Sequence, residues 1–292
     1  MTRRKANWIV SVGLICVAAA TVWVVVVGLQ SRPLPQIDAA GGEKPAGGMG
    51  RQTLWTEAGW TPEDFFDSEA ALRACKLISE RKHEELKQLL GSDFDVNQSG
   101  KKGMTLLYWA FGEDNQEAFQ LLLDSGADPD KKLTEPITTR NSWLFAGDSI
   151  LFTAMRKSKW DFFFAALEHT SNIDQRDVEG KTLLLACMGT DAIYGTSGET
   201  LQRIIDAGVP LDAMNKYGDT ATMNALFRDR PLHCLRMLEA GADPEIHNAR
   251  GRTIYDLLSI RLQADLQRGK QPPKGTDRLK QWLDAHRSKS DE

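Results

Sequence analysis

Phe119-Gln120-Leu121-Leu122-Leu123-Asp124-Ser125-Gly126-Ala127-Asp128-Pro129 is an apolar helix end that runs into a glycine, and it returns as Leu235-Arg236-Met237-Leu238-Glu239-Ala240-Gly241-Ala242-Asp243-Pro244. A looser copy is Arg203-Ile204-Ile205-Asp206-Ala207-Gly208-Val209-Pro210-Leu211-Asp212. Glycine accepts the left-handed backbone that stops a helix. Three helices are therefore expected to end at the same point of a recurring unit.

The other half of the unit opens on a hydroxyl residue. Thr105 precedes Leu107 and Ala110, Thr182 precedes Leu184 and Cys187, Thr220 precedes Thr222 and Ala225, and Thr253 precedes Tyr255 and Leu258. Ser149, with Leu151 and Ala154, fits without the usual preceding glycine. The hydroxyl can cap the helix that follows, and a small residue five positions on lets two helices approach closely. Successive hydroxyl slots lie 44, 33, 38 and 33 residues apart. A degenerate first unit places Ala70, Leu72 and Cys75 in the same slots and carries Leu86, Leu89 and Leu90 on its second helix.

The pattern resembles the ankyrin repeat, a Gly-x-Thr-Pro-Leu-His-x-Ala helix followed by a Leu-Leu-x-x-Gly-Ala-Asp helix end. The resemblance covers roughly residues 68–262. It implies an all-α solenoid of about five to six divergent helix–turn–helix units, with projecting loops or β-hairpins and a concave face. The histidine slot holds Tyr108, Phe152, Leu185, Met223 and Asp256 instead, so the units are divergent. The expected layout is a lead-in at 55–67, repeats at 68–268, and a capping helix and tail at 269–292. Leu279, Trp282 and Leu283 form the apolar face of that helix after the Pro272-Pro273 break.

Ahead of the repeats, residues 1–7 contain Arg3, Arg4 and Lys5, and residues 8–29 carry no charge. At 1.5 Å per residue a helix of that length crosses a hydrocarbon core of roughly 30 Å. The expectation is a single transmembrane helix preceding the solenoid, with the basic end cytoplasmic. A cleaved signal peptide is the alternative, with Ala18-Ala19-Ala20 as small residues near a cleavage point. Residues 30–54 are rich in Pro and Gly without an apolar period and read as a linker.

The net charge is −4, and the region beyond the basic N-terminus is more acidic still. That argues against nucleic acid, which needs clustered cations. Cys75, Cys187 and Cys234 are widely spaced and form no CxxC pair. The repeat alignment puts Cys75 and Cys187 three units apart, too far for a disulfide, so they read as small buried residues. The five histidines fall in different units, and no HExxH, GxSxG, Walker or GxGxxG pattern occurs. No catalytic residue, metal ligand or cofactor site is expected, and the chain reads as a non-enzyme. Asp93-Phe94-Asp95 and Asp128-Pro129-Asp130 sit in turn slots, which explains their carboxylates without calcium. Asn97-Gln98-Ser99 is a glycosylation sequon.

Two insertions interrupt the repeat. Residues 131–147 lie where ankyrin units project their fingers and contain Arg140, Trp143 and Phe145; residues 189–199 contain Tyr194. Long loops in a compact array are often functional, and binding energy concentrates in Trp, Tyr and Arg. These four residues, with Trp109 and Trp160, are the candidate partner-binding residues. Phe162-Phe163-Phe164 falls in a second-helix slot and reads as core. Together these features describe a protein-binding module. The layout is similar to that of membrane-anchored bacterial ankyrin proteins that act as immunity proteins against type VI secretion toxins, lipases included. That resemblance implies an inner-membrane protein, N-terminus cytoplasmic and repeats periplasmic, that binds and occludes a toxin. The alternative is an envelope scaffold or an accessory partner of a periplasmic enzyme.

Overall fold

A computed structural model describes residues 52–140, 143–188 and 196–290, all within the unit Arg51–Glu292 of the two into which the chain divides. A short helix, α1 (Leu54–Ala58), and a single 3-10 turn (Pro62–Asp64) lead into six helix pairs. These are α2 (Glu69–Ser79) with α3 (His83–Leu90), α4 (Leu106–Gly112) with α5 (Gln116–Asp124), and α6 (Ile150–Arg156) with α7 (Trp160–His169). They continue as α8 (Leu183–Met188) with α9 (Gly198–Asp206), α10 (Ala221–Phe227) with α11 (Pro231–Glu239), and α12 (Ile254–Gln267) with α13 (Thr276–Ser290). First helices pack in one row, α2–α4–α6–α8–α10–α12. Second helices pack in a parallel row that includes α3–α5–α7 and α9–α11–α13.

The residues dictate most of these elements. Thr182, Thr220 and Thr253 accept the backbone N–H three residues on at the start of α8, α10 and α12, and Ser68 does the same for α2. Thr105 and Ser149 head α4 and α6 without a side-chain cap bond, the Ser149 hydroxyl donating to Gln175 instead. In five of the six pairs the turn is a described Schellman stop. Its left-handed residue is Arg81, Asp114, Ser158 or Asp229 in the first three pairs and the fifth, and Gly269 in the last. The next N–H reaches back five residues in each case, as from Asn115 to Ala110 O at 3.0 Å. The end of the second helix uses glycine, with Gly126, Gly208 and Gly241 all at positive φ. The small slot does what its spacing requires: Ala110, Ala154, Cys187 and Ala225 are fully buried between neighbouring first helices. Every residue of α4 and of α8 is buried, which is why those helices contain no charge. Phe162, Phe163 and Phe164 are core residues of α7.

Several expectations need correction. The fold class holds for the helical repeat, but among the described residues no helix is long and apolar enough to cross a membrane. Residues 8–29, where the sequence predicts a transmembrane helix, lie outside the described residues, as do residues 30–51 of the expected linker. The linker boundary moves, because Thr53 caps α1 and Leu54 is already helical. The fold is also not purely helical. The first insertion contains a two-stranded antiparallel hairpin, β1 (Ile137–Thr138) and β2 (Trp143–Leu144), with Ile137 opposite Leu144 and Thr138 opposite Trp143. Strand pairing satisfies backbone groups that a helix-free insertion of that length would otherwise leave open.

The lead-in is not passive. Trp55 is fully buried, stacks on Trp109 with ring centroids 5.5 Å apart, and donates its indole N–H to Trp109 O at 2.9 Å. Its ring lies against Gly112, where an added Cβ would come within 2.0 Å of Trp55 Cε2. Phe65 and Phe66 are buried alongside. The segment therefore covers the exposed ends of the first helices at the N-terminal end of the array, supplying the cap that a solenoid terminus needs.

Candidate functional site

The hairpin finger of residues 131–147 is the largest excursion from the repeat among the described residues. Trp143 is 61% exposed and Phe145 44% exposed, while Ile137 and Leu144 turn inward and are buried. The alternation follows from the period of two along a strand. Arg140, near the tip, is exposed.

Three residues outside this finger tie it down, and two backbone bonds close its base. The Trp60 indole donates to Thr138 O at 2.7 Å, and the buried Tyr108 hydroxyl donates to Asp148 O at 2.7 Å. Burial pushes the Tyr108 phenol well above its ordinary range, so it stays a neutral donor. Arg156 donates from Nε to Asp148 Oδ2 and from Nη2 to Asp177 Oδ2, both at 2.8 Å, with both carboxylates buried. Its guanidinium lies 5.2 Å from the centroid of the Phe145 ring. The Leu133 N–H donates to Asp148 O at 3.1 Å, and the Gly147 N–H returns to Leu133 O at 2.7 Å.

Neighbouring fingers continue the surface. Exposed Val178 lies against Gly147, where an added Cβ would sit 2.4 Å from Val178 Cγ1. Lys132 Nζ donates to Arg176 O at 2.7 Å, and Arg176 Nη1 donates to Met214 O at 3.2 Å. The Ala249 N–H donates to Tyr217 O at 3.1 Å. Trp143, Phe145, Val178, Met214 and Tyr217 thus follow one another along linked finger tips, all exposed. Scattered exposed apolar residues need no explanation, but a row of them on fixed loops does.

The remaining candidates fall elsewhere. Trp109 is 2% exposed, held between Trp55 and α2, with its indole donating to Ser79 Oγ at 3.2 Å. It is a core residue and not part of a free surface. Trp160 is half-buried at the start of α7, edge-on to Phe163 at 5.7 Å. Tyr194 lies outside the described residues. The structure brings Trp143 and Phe145 together, with Arg140 on the same hairpin, and separates them from Trp109. The lead-in's part in supporting the finger has no local signal beyond the tryptophans Trp55 and Trp60 ahead of the repeats.

The chemical candidates resolve into turns and core. Among the described residues no group of three His, Cys, Asp or Glu is placed to hold a metal. Asp130 is occupied by the next unit, accepting from the Ser171 and Asn172 backbone and from Gln175. Asp95 accepts from the Asn97 N–H in a local turn. The sequon amide is structural, because Asn97 Nδ2 donates to Gly126 O and Asn97 Oδ1 accepts from the Asp128 N–H, each at 2.8 Å. Cys75, Cys187 and Cys234 are free and buried. Burial pushes the Cys187 thiol up to about 12 and the other two far above the ordinary range, the opposite of what a nucleophile needs.

Comparison with known proteins agrees on the fold. Residues 102–132 match the family model of the ankyrin repeat. No curated protein matches the sequence. Among solved structures the chain is similar to an ankyrin repeat domain from Acinetobacter baumannii AYE, with 20% identity over 67% of this chain and 94% of that one and a TM-score of 0.52. It is also similar to the ankyrin repeat protein EF0377, with 20% identity, 67% and 94% coverage and a TM-score of 0.48. A chain from the complex of the predatory endopeptidase Bd0816 with the immunity protein Bd3460, from Bdellovibrio bacteriovorus, matches at 20% identity, 73% and 99% coverage and a TM-score of 0.49. At these identities the likeness is one of fold.

Proposed function

We propose that this ankyrin-repeat array is a protein-binding module that engages its partner through the hairpin finger of residues 131–147 and the finger tips beside it. Ankyrin repeats mediate protein–protein interaction, and the observation that carries the more specific reading is the finger itself. It presents two exposed aromatic residues, Trp143 and Phe145, on a base fixed by Trp60, Tyr108 and Arg156. A finger held at its base has less conformational freedom to lose on binding, so more of its aromatic contact is retained as affinity. Trp and Arg are the residue types in which interface energy concentrates, and Arg140 stands on the same hairpin.

The partner we propose is a secreted antibacterial toxin, lipase-type, which the module occludes in the periplasm as an immunity protein. Placement beyond the cytoplasmic membrane is supported by the N-terminal sequence, in which Arg3, Arg4 and Lys5 precede an uncharged stretch in the order of an exported chain. The test is affinity capture of the partner by the full chain and by its Trp143→Ala variant. The reading requires a toxin encoded beside this gene to be captured by the parent. It also requires the variant to bind at least tenfold more weakly and to leave cells sensitive to that toxin. Recovery of a resident envelope protein in place of a toxin would point to a scaffold. Equal binding by the variant would remove the finger from the interface.

A further inference from the structure

The two ends of the concave face differ. At the N-terminal end the lead-in of this chain lies across the first helices. At the C-terminal end the same positions form an open groove of about 460 Å³, floored by Leu226, Phe227, Leu257 and Ile260 and bordered by Lys216, Arg250 and Arg252. The repeat register relates the two. The seventh residue of α4 is Gly112, which lies under the Trp55 ring. The seventh residues of α10 and α12 are Phe227 and Ile260, both exposed.

The cations match in the same register. Lys101, four residues before the cap of α4, pairs with Asp67 of the lead-in at 2.8 Å. Lys102, three before it, lies over the Trp60 ring at 5.4 Å. Four residues before the cap of α10 stands Lys216, and three before the cap of α12 stands Arg250. Arg252 follows directly before that cap. Among the described residues no carboxylate forms an ion pair with Lys216, Arg250 or Arg252; the one carboxylate in the lining, Asp219, accepts from the Asn248 amide at 2.8 Å, and Arg261 is neutralised by Asp229 and Asp265. The groove is thus a positive, apolar-floored channel on a chain of net charge −4. Such a field selects an anionic partner.

The segment seated at the N-terminal end shows the matching chemistry. Residues 53–67 carry the acids Glu57, Glu63, Asp64 and Asp67 and the aromatics Trp55, Trp60, Phe65 and Phe66. We infer that the Lys216–Ala264 groove is a docking site for an acidic, aromatic-bearing segment of a partner protein, equivalent in kind to the lead-in at the opposite end. Aromatic side chains cover Phe227 and Ile260, and carboxylates meet Lys216, Arg250 and Arg252. The groove shares Tyr217 with the row of finger tips but contains no residue of the hairpin 131–147, so loss of binding at Trp143 and loss at Phe227, Arg250 and Arg252 are separable outcomes.

The test uses a fluorescent peptide of residues 53–67 added to the full chain, read by anisotropy. Binding is expected, weakening as salt rises. An Arg250→Glu/Arg252→Glu double variant should bind at least tenfold more weakly with its melting temperature preserved, since Arg250 is exposed and Arg252 half-buried at the rim. Phe227→Ala should weaken binding in the same direction, and Trp143→Ala should leave it unchanged. Absence of binding overturns the inference. So does equal binding by a peptide with lysine at the four acidic positions, or by the double variant, which would seat the peptide elsewhere. Loss of binding in Trp143→Ala would move the site to the finger. Conversion of the parent to a dimer without peptide, abolished by the same double variant, would make the occupant a second copy of this chain and overturn the assignment to another protein.

Discussion

The indole N–H of Trp60 donates to the main-chain carbonyl of Thr138 at 2.7 Å, across 78 residues of sequence. A residue outside the repeats thereby holds the first strand of the finger that interrupts them. Lys102 lies over the same ring, its Nζ 5.4 Å from the centroid. The lead-in is a brace as well as a cap.

Trp60→Phe removes that donor while keeping most of the ring. The cost in global stability should be small, about 1 kcal/mol for one hydrogen bond. The local effect should be larger, because the hairpin has only two paired residues on each strand. Tryptic cleavage after Arg140 under native conditions should speed up several-fold. An unchanged cleavage rate would show that the brace does not govern the finger.

Gly112→Ala tests the seating of the lead-in. The added methyl would overlap the Trp55 ring, which is stacked on Trp109 and has nowhere to retreat. Overpacking of this kind costs about 1–3 kcal/mol. The expected sign of displacement is a red shift in tryptophan emission. Trp55→Ala should also destabilise, but the double variant should lose less than the sum of the two, since the clash disappears with the ring.

Arg156→Met should be among the more damaging single changes. Asp148 and Asp177 are buried carboxylates that share this guanidinium, and breaking a buried pair costs about 3–5 kcal/mol. Arg228→Met, at an exposed position at the end of α10, should stay within about 0.5 kcal/mol of the parent. Urea denaturation of the two variants side by side reads the difference. Equal midpoints would mean that the network is solvated in solution.

The repeat was legible because its signals are local. The hydroxyl caps, the glycine stops at Gly126, Gly208 and Gly241, and the small slot filled by Ala110, Ala154, Cys187 and Ala225 each act within one unit. The inner turns were harder to see, since Arg81, Asp114, Ser158 and Asp229 adopt a left-handed backbone without glycine to announce it. Trp109 was misplaced for a different reason. Its burial depends on Trp55, 54 residues earlier, and no periodicity within α4 encodes a ring supplied from outside the repeat. The finger was correctly located by its excess length, but its strands were not, because two-residue strands leave almost no alternation to detect. The concave groove is a property of the register between units, as in the relation of Gly112 to Phe227 and Ile260, and appears only once the helices are stacked.

His233 supplies a test of the second-helix row against pH. Its Nε2 donates to Thr196 O at 2.7 Å, and the Thr196 hydroxyl in turn donates to Cys187 O at 3.0 Å, so the imidazole ties α11 to the segment that follows α8. Burial lowers its pKa below the ordinary 6.5, with Arg230 and Arg236 adding to the shift and the bond to Thr196 opposing it. Well above pH 6.5 the ring is neutral in both folded and unfolded chains and contributes no pH dependence. As the pH falls through that value the unfolded chain takes up the proton first, so it binds more protons and stability declines. The decline stops once the pH has passed the lower folded pKa. His233→Gln keeps an amide donor for Thr196 but cannot titrate. Its melting temperature should fall less steeply than the parent's between neutral and mildly acidic pH, so that the gap between the two curves shifts in the variant's favour on acidification. Parallel curves would mean that the imidazole is as hydrated in the folded chain as in the unfolded one, and that the row is held there by its apolar contacts alone.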